Sequence, residues 1–374
     1  MKLILHLGCG TGPRYVDLVF TLPVKDVSAE LLEDDLRVPP TAQTAESHET
    51  ANLIDQMQAL LEDDLVEVEA ILKTEAASPI SIIPDLSGYI VAAGGKRLRP
   101  MVTLAAAHAA GGATKATHAL SAAVEFIHTA TLLHDDVVDE SDLRRGKPAA
   151  KSVWGNSASI LVGDFLFARA FTLMVRTGSL DILGILSHAS TVIAEGEVHQ
   201  LAAQGNPDLP TEQYLMIIEA KTAALFEASA QAGALSAGGG EYADALALYG
   251  KNLGLAFQIV DDALDYGGTT SAIGKSVGDD FREGKVTLPV VIARRRGSEE
   301  DRSFWNRALN IDTQRPDDLA HAIHLIRSTG AAEASLAEAQ AYAGLAKTSL
   351  IGLPESPYRK VLSDLADFCV NRAY

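Results

Sequence analysis

The sequence of 374 residues predicts an all-α fold, a single large helical bundle. Apolar residues recur at steps of three and four over residues 53–72, which is the spacing of one face of an amphipathic helix. Farther along, glycines and prolines separate alanine- and leucine-rich segments of about 15 to 30 residues. Alternating runs of β-branched residues, typical of strands, are nearly absent. We therefore expect on the order of ten helices or more, several of them buried on most sides.

The start of the chain differs from the rest, and we expect residues 1–45 to be a disordered extension and residues 46–374 to be the folded domain. Four prolines fall in the extension: Pro13, Pro23, Pro39 and Pro40. Residues 3–12 are similar to a strand that enters a glycine-rich nucleotide loop. Such a loop should open a helix among alternating strands and helices, but a proline follows and no alternation comes after it. The apolar start is also too short for a signal peptide.

Charge and cysteine content exclude several classes of protein. Lys and Arg total 31 against 49 Asp and Glu, which gives a formal net charge of −18. So acidic a chain repels a phosphate backbone, and we expect no nucleic-acid partner. Cys9 and Cys369 cannot form a disulfide framework, which favours a cytoplasmic location. No stretch of about 18 uninterrupted apolar residues occurs, so the sequence predicts no transmembrane helix.

Two aspartates one turn apart end the helix that is predicted to begin near residue 114. Asp135 and Asp139 lie at i and i+4, so both carboxylates face the same side. They repel each other, and unpaired carboxylates are costly in an apolar setting. Mg²⁺ resolves both problems, because it prefers oxygen ligands and binds through one or two carboxylates together with substrate phosphates.

The same spacing recurs later, where Asp261 and Asp262 are followed by Asp265. Gln258 lies one turn earlier on the same side. A solvated acidic helix end can produce one such cluster. Two clusters of equal spacing, each after apolar residues, indicate instead a pair that faces across a cavity. Divalent ions between them would bind a diphosphate.

A diphosphate site also needs cationic groups. The candidates are Lys96, Arg97 and Arg99 after a Gly-Gly turn; Arg144, Arg145 and Lys147 after the first cluster; Lys221 beside Thr222; and Lys275 and Lys285 after the second cluster. The Gly-Gly turn suits a diphosphate bound directly, and the cations near the first cluster suit one bound through metal. We expect Arg97 and Lys147 to be solvated charges. His128, two turns before Asp135 on the same face, is favoured as a cavity residue over a purely structural one.

Seven motifs occur between residues 94 and 285. In chain order they are Gly94-Gly95-Lys96-Arg97-Leu98-Arg99-Pro100, Leu133-His134-Asp135-Asp136-Val137-Val138-Asp139-Glu140-Ser141-Asp142, Arg144-Arg145-Gly146, Gly196-Glu197 with Gln200, Lys221-Thr222, Phe257-Gln258-Ile259-Val260-Asp261-Asp262 and Gly284-Lys285. The set resembles the trans-polyprenyl diphosphate synthases, in particular the bacterial long-chain branch that makes quinone side-chain precursors. By motif the resemblance covers residues 80–295, and by helical layout residues 46–374. The first 45 residues have no counterpart in the family pattern.

The resemblance implies an isoprenoid synthase-like bundle around a central cavity and a prenyltransferase with three Mg²⁺ ions per site when substrate is bound. The implied metal ligands are Asp135, Asp139, Asp261 and Asp265, and the implied catalytic set adds Asp136, Asp262 and Lys221. The allylic diphosphate would be bound by Arg144, Lys221, Thr222, Gln258 and Lys275. Isopentenyl diphosphate would be bound by Lys96, Arg99, His128 and Arg145.

The resemblance also carries expectations about product and assembly. Short-chain members of the family place a bulky aromatic residue four or five positions before the first aspartate. Those positions here are Thr131 and Ala130, both small. We therefore expect an octaprenyl to decaprenyl product, destined for the membrane and for the ubiquinone side chain. Because the segment 114–133 is apolar on most faces and the family forms dimers, we also expect a homodimer.

Four alternatives remain. A shorter-chain farnesyl or geranylgeranyl diphosphate synthase differs only in product. A terpene cyclase or head-to-head synthase on the same fold often lacks the second cluster and the Gly-Gly loop, which are both present here. A non-catalytic subunit would be expected to lose aspartates, and a purely structural helical protein leaves the order of the motifs unexplained.

Overall fold

The computed structural model describes residues 2–4, 19–21, 45–92, 95–144, 146–267 and 277–371. The chain divides into two compact units, Met1–Thr44 and Ala45–Tyr374. In the first unit, β1 (Lys2–Ile4) pairs antiparallel with β2 (Val19–Thr21). The rest of this unit, with its glycine-rich run, lies outside the described residues. The expectation of a disordered N-terminal extension therefore stays a prediction.

In the part of the chain that the structure describes, the second unit is all-α apart from one short hairpin, as the sequence predicts. Its helices are α1 (Ala45–Leu60), α2 (Glu62–Glu75), α3 (Ile82–Ala92), α4 (Leu98–Ala109), α5 (Lys115–Val138), α6 (Ala150–Trp154), α7 (Asn156–Arg176), α8 (Leu180–Ala203), α9 (Thr211–Ile218), α10 (Ala224–Ser236), α11 (Ala243–Gly267), α12 (Asp279–Arg282), α13 (Leu288–Arg296), α14 (Glu299–Ala308), α15 (Asp318–Ser328), α16 (Ala331–Ser349) and α17 (Pro357–Asn371). A short π-helix, Glu219–Ala223, joins α9 to α10. Strands β3 (Leu143–Arg144) and β4 (Lys147–Pro148) form the hairpin.

Helix α5 lies in the middle of the bundle and carries the first aspartate cluster at its C-terminal end. It begins after Thr114, whose side chain accepts a hydrogen bond from the Thr117 backbone, while the Thr117 side chain accepts one from the Thr114 backbone. The helix packs against α2, α4, α7 and α10. Its apolar faces, which suggested a dimer contact in the sequence, are therefore covered within one chain.

Helix α11 carries the second cluster and lies very close to its neighbours. A Cβ atom at Gly250 would lie 2.3 Å from the Phe226 carbonyl oxygen, and one at Gly254 would lie 2.5 Å from the Ala223 Cα atom. Because both positions are glycine, α11 can approach α10 and the π-helix without a clash. The next turn of α11 places Gln258 beside the π-helix, where the site is built.

Helix α7 is the one helix within the described ranges that is long and apolar enough, by length and composition, to cross a membrane. Its most apolar window has a mean hydropathy of 1.7 and is 39% buried. Core helices of globular proteins can meet the same criterion, and α7 packs along α5 and also contacts α6 and α8. The expectation of no transmembrane helix therefore stays a prediction.

Candidate active site

A cavity of about 770 Å³ lies where the ends of the long helices meet. Its lining includes these residues singled out in the sequence: Lys96, Arg99, His128, Thr131, Asp135, Asp139, Arg144, Lys221, Thr222, Gln258, Asp261, Asp262 and Asp265. Arg145 and Lys275 lie outside the described residues. The structure thus brings the two aspartate clusters and the basic groups from distant parts of the sequence to one space.

In the first cluster, Asp135 and Asp139 are both paired with lysines from later elements. Lys221 Nζ lies 3.7 Å from Asp135 Oδ2. Lys285 Nζ donates a hydrogen bond to Asp139 Oδ2 at 2.8 Å. Burial raises the pKa of Asp135, and the Asp139 carboxylate adds to this against the opposing effect of Lys221. The lysines therefore offset only part of the cost of placing two carboxylates together, and a cation would favour the ionised pair.

The middle residue of the first cluster has a different environment. Asp136 is buried and is not among the residues that line the cavity. Its Oδ1 accepts a hydrogen bond from Arg144 Nε at 2.7 Å and lies 2.7 Å from Arg144 Nη2. Arg144 does line the cavity, from strand β3. Asp136 therefore orients an arginine at the site instead of facing the cavity itself.

Lys221 lies in the π-helix between α9 and α10, a rare element that is frequent at functional sites. Its Nζ donates to Glu197 Oε2 at 2.6 Å and to Gln200 Oε1 at 2.8 Å, both on α8. Burial alone would lower the pKa of Lys221, but the carboxylates of Asp135 and Glu197 raise it. The lysine is therefore charged. Glu197 and Gln200 stood in a recognisable motif, but the sequence alone indicated no role for them.

A chain of hydrogen bonds ties the second cluster to the π-helix. Thr222 Oγ1 donates to Gln258 Oε1 at 2.8 Å, and Gln258 Nε2 donates to Asp262 Oδ1 at 2.7 Å. Tyr214 OH donates to Asp262 Oδ2 at 2.7 Å. Burial raises the pKa of both Asp262 and Tyr214. Sequence reasoning missed Tyr214, which lies 48 residues before its partner and has no local signal. Asp261, the residue before Asp262, lines the cavity.

Asp265 holds the backbone at the start of α12. Its carboxylate oxygens accept hydrogen bonds from the backbone N–H groups of Gly278, Asp279 and Asp280 at 3.1–3.2 Å. Burial and the Asp280 carboxylate raise the pKa of Asp265 to about 7. Asp280 lines the cavity, and sequence reasoning missed it although an aspartate pair follows Gly278. A role for Asp265 as a metal ligand stays a prediction.

The turn before α4 and the first turn of α4 line another part of the cavity. Lys96 Nζ lies 5.3 Å from the centre of the Phe368 ring, and the Arg99 guanidinium lies 4.4 Å from the centre of the Phe226 ring. Arg99 Nη1 donates to His128 Nε2 at 3.2 Å. Both aromatic contacts are close enough for a favourable cation–π interaction. Two cations and an imidazole are thus presented together to one part of the cavity.

The two residues expected to control product length differ in their surroundings. Thr131 lines the cavity, and its Oγ1 donates to the His128 carbonyl at 2.8 Å. Ala130 is fully buried and is not among the lining residues. A bound chain could therefore contact Thr131, whereas Ala130 packs in the core.

The expectation that Arg97 is a solvated charge is wrong. Its side chain is only 15% exposed. Its Nε donates to Glu69 Oε1 at 2.8 Å and its Nη1 donates to Glu125 Oε1 at 2.5 Å. Both partners lie 28 residues away in the sequence, so no local pattern shows the pairing. Lys147, which carried the same expectation, is exposed on β4.

The carboxylates at the cavity fit Mg²⁺, which is bound partly by water and by substrate phosphates, better than a metal ion that is coordinated by protein ligands alone. Among the side chains that the structure describes, no group of three or more His, Cys, Asp or Glu could hold a metal ion by itself. Mg²⁺ usually keeps several waters and is bound through one or two carboxylates plus substrate phosphates. Asp135 and Asp139 on one helix, and Asp261 on another, supply ligands of this kind, all of them oxygen.

Comparison with known proteins identifies the family. The chain matches the polyprenyl synthetase family model over residues 80–326. It is 43% identical over 320 residues to the octaprenyl diphosphate synthase of Escherichia coli (strain K12), a match that covers 85% of this chain and 99% of the relative.

Solved structures agree with this result. A polyprenyl synthase from Caulobacter crescentus CB15, complexed with calcium and isoprenyl diphosphate, is 52% identical with a TM-score of 0.83, covering 86% of this chain and 98% of that chain. A decaprenyl diphosphate synthase from Rhodobacter capsulatus is 47% identical with a TM-score of 0.82, covering 86% of this chain and 99% of that chain. The predicted isoprenoid synthase fold is confirmed. The chain belongs to the polyprenyl synthetase family, and it is a prenyltransferase.

Proposed function

We propose that the protein condenses isopentenyl diphosphate with an allylic diphosphate, repeatedly, to make an all-trans polyprenyl diphosphate of octaprenyl to decaprenyl length. One observation carries the proposal: a single cavity is lined by both aspartate clusters and by lysine and arginine side chains. Recognition of two diphosphates requires carboxylates for metal and cations for direct contact. The relatives named octaprenyl and decaprenyl diphosphate synthase support the product range.

Mg²⁺ is the proposed cofactor, with three ions per site as the resemblance implies. Asp135 in the last turn of α5 and Asp139 directly after it would hold it from one side, and Asp261 and Asp265 from α11. When bound, the metal supplies positive charge that stabilises a leaving diphosphate. Its charge would also offset the burial and the Asp139 carboxylate, which together raise the pKa of Asp135.

The allylic diphosphate lies, in this proposal, between Arg144 and Lys221. Asp136 orients the arginine, and Glu197 with Gln200 orients the lysine. Thr222, Gln258 and Lys275 complete the proposed set of contacts to this substrate. Fixed positive groups stabilise the negative charge that develops as the carbon–oxygen bond breaks, and they need no reorganisation during the reaction.

Isopentenyl diphosphate is proposed to bind at Lys96, Arg99 and His128, with Arg145. The allylic carbon–oxygen bond breaks, and its electron pair leaves with the diphosphate. The isopentenyl double bond then forms a new carbon–carbon bond to the allylic carbocation. A proton leaves the isopentenyl unit, with the departing diphosphate as the proposed base. Water would quench the cation, so the apolar walls of the cavity protect the reaction.

Product length is proposed to follow from the small side chain at Thr131, one turn before Asp135. A bulky ring there would narrow the cavity close to the reacting carbon. The small residue leaves room for a chain that grows by one isoprene unit in each cycle. The long product is proposed to serve as the ubiquinone side chain.

A homodimer is proposed through α7. Ile160, Leu161 and Val175 are exposed on this helix, and Leu161 and Val175 lie two heptads apart on one side. Leu161→Asp should change the mass measured by light scattering from two chains to one. Leu345→Asp, at an exposed site on α16, is the matched control and should leave the dimer intact. A wild-type mass of one chain at micromolar concentration would contradict the proposal.

The proposed cellular location and the absence of a nucleic-acid partner are based on cysteine content and net charge. A cytoplasmic location is proposed, because the sequence has only two cysteines, Cys9 and Cys369, which are too few for a disulfide framework. The net charge of −18 supports the absence of a nucleic-acid partner. Residues 46–374 are proposed as the catalytic domain, with residues 1–45 as an extension outside it.

Incorporation of labelled isopentenyl diphosphate into an extractable product tests the proposal. Incorporation should require both Mg²⁺ and an allylic primer, and EDTA should abolish it. A cyclic hydrocarbon would instead indicate a cyclase, and a product no longer than geranylgeranyl would indicate a shorter-chain synthase. An absence of incorporation by the purified chain would indicate a non-catalytic subunit.

A further inference from the structure

Glu125 is a buried carboxylate in the wall of the cavity, at the proposed isopentenyl diphosphate site. Its side chain is 8% exposed, and it lines the cavity together with Lys96, Arg99 and His128. Glu125 lies on α5 one turn before His128, which accepts a hydrogen bond from Arg99. A diphosphate at this place would meet a negative side chain in a poorly solvated setting, where like charges repel more strongly than in water.

Arg97 compensates this charge. Its Nη1 donates to Glu125 Oε1, and its Nε donates to Glu69 Oε1 on α2. Glu69 is about half exposed and so is largely solvated, whereas Glu125 depends on its partner because it is buried. Both of these contacts of the guanidinium are to carboxylates, which differs from the aromatic and imidazole contacts of Arg99.

The backbone of Arg97 is also constrained. The residue has φ 50° and ψ 35°, the left-handed conformation, directly before the first turn of α4. A non-glycine residue adopts this conformation at a cost, so neighbouring contacts must hold it there. The two ion pairs tie this turn to α2 and α5. They therefore set the direction from which Lys96 and Arg99 enter the cavity.

We propose that Arg97 is a positioning residue for isopentenyl diphosphate, which acts by neutralising the Glu125 carboxylate beside Lys96 and Arg99. The inference rests on the proposed function, because it takes this part of the cavity as the isopentenyl diphosphate site. The competing explanation is a simple tie between three helices. A tie would affect stability, but its loss would not be repaired by removing the charge of Glu125.

Steady-state kinetics of the full chain separates the two explanations. Arg97→Gln should raise KM for isopentenyl diphosphate at least about tenfold, with kcat and the KM for the allylic primer each within about threefold. Arg97→Gln combined with Glu125→Gln should return this KM to within about threefold of wild type, because no buried charge is left uncompensated. Arg97→Lys keeps the positive charge but not the two-nitrogen contact, so its KM should lie between those of wild type and Arg97→Gln.

Two controls keep the result specific. Arg307→Gln breaks a bidentate pair with Asp318 outside the cavity and should leave KM unchanged. Arg99→Ala tests the site assignment independently of Arg97. If Arg99→Ala raises KM for isopentenyl diphosphate but Arg97→Gln does not, this inference fails while the proposed function stands. If Arg99→Ala has no effect on KM, the site is elsewhere and both the assignment and the inference fail.

The double variant decides the remaining cases. A double variant as impaired as Arg97→Gln would overturn the charge-compensation role. Should Arg97→Gln fail to fold, a double variant that folds with nearly wild-type KM would support the inference. A double variant that also fails to fold would show that Arg97 acts as a structural tie, and would overturn it.

Discussion

Tyr214→Phe should weaken both the fold and the response of the enzyme to Mg²⁺. Tyr214 OH donates to Asp262 Oδ2 at 2.7 Å, and both residues are buried. The substitution removes this donor and almost no volume. Among the described residues, Gln258 then remains as the donor to the Asp262 carboxylate. A buried carboxylate that loses one of two hydrogen-bond donors is expected to move from its position. Asp261, which lines the cavity, is the next residue in the chain and should be displaced with it.

The size of the effect can be set against a matched tyrosine. Tyr249 is also buried and its OH donates at 2.7 Å, but to the backbone carbonyl of Leu362, away from the cavity. A hydrogen bond to a charged group contributes about 1.5–3 kcal/mol, and one between neutral groups about 0.5–1.5 kcal/mol. Both oxygens of Asp262 accept a hydrogen bond, from Tyr214 and from Gln258, which favours its ionised form. We therefore expect Tyr214→Phe to lower the free energy of unfolding by the larger amount and Tyr249→Phe by the smaller.

Two assays measure the two consequences. Urea denaturation in EDTA gives the free energy of unfolding of each variant without metal. A Mg²⁺ titration of activity should show the half-maximal concentration rising about tenfold in Tyr214→Phe, the lower end of the effect of removing a residue that supports a metal site. Tyr249→Phe should leave the titration unchanged. Equal stability losses together with identical Mg²⁺ titrations would refute the described role of Tyr214 in orienting the second cluster.

Three further predictions concern metal, product and pH. Asp135→Ala should lower kcat by at least about 100-fold, as expected for the loss of strong transition-state stabilisation, and steady-state turnover of the wild type in metal-free buffer would contradict the metal requirement. Thr131→Phe should shorten the product towards farnesyl or geranylgeranyl while turnover survives, as chromatography of the extracted product would show; an unchanged product would mean that this residue does not set the length. Asp64→Asn should lower the free energy of unfolding at pH 7 by about 1.5–3 kcal/mol, because Asp64 accepts hydrogen bonds from His108 and His118, each at 2.7 Å. Burial alone would raise the pKa of Asp64, but the two histidines lower it. This stabilisation is therefore present above the pKa of about 4 that Asp64 has in the unfolded chain, and it is lost as pH falls below that value. A difference in the free energy of unfolding between wild type and Asp64→Asn that persists in acid would contradict this role of Asp64.

Local periodicity accounts for what could be predicted from the sequence. The spacing of apolar residues predicted the helices, because one face of each helix must be buried. The i,i+4 spacing placed Asp135 and Asp139 on one face of α5, since a helix turns 100° per residue. The meeting of the two clusters in one cavity followed from their equal spacing and from the need of a diphosphate for both. Each of these inferences uses residues within two turns of one another or the chemistry of a single ligand.

Contacts between distant segments could not be predicted in this way. Tyr214 and Asp262 are paired across 48 residues, and Arg97 is paired with Glu125 across 28. Nothing near Arg97 in the sequence distinguishes a compensated buried charge from a solvated one. The π-helix at Lys221 is equally invisible, because Glu219–Ala223 has ordinary helix-forming residues. Only tertiary packing decides these cases.

Neighbouring residues on one helix can also have different fates. Thr131 and Ala130 are adjacent and both small, yet one lines the cavity and the other is packed in the core. The positions of the neighbouring helices around α5 decide which side faces the cavity. A large residue at Ala130 would overpack the core, which costs about 1–3 kcal/mol of stability. Such a variant would therefore report on core packing as well as on product length. Thr131 is therefore the informative position.

The length of the product made by the wild-type protein is the most direct test of the proposed long-chain synthase activity. Purified protein, labelled isopentenyl diphosphate, an allylic primer and Mg²⁺ should yield an extractable all-trans product, and chromatography after removal of the diphosphate gives its length. We expect octaprenyl to decaprenyl chains, with decaprenyl slightly favoured. A linear product no longer than geranylgeranyl, or a cyclic one, would contradict it.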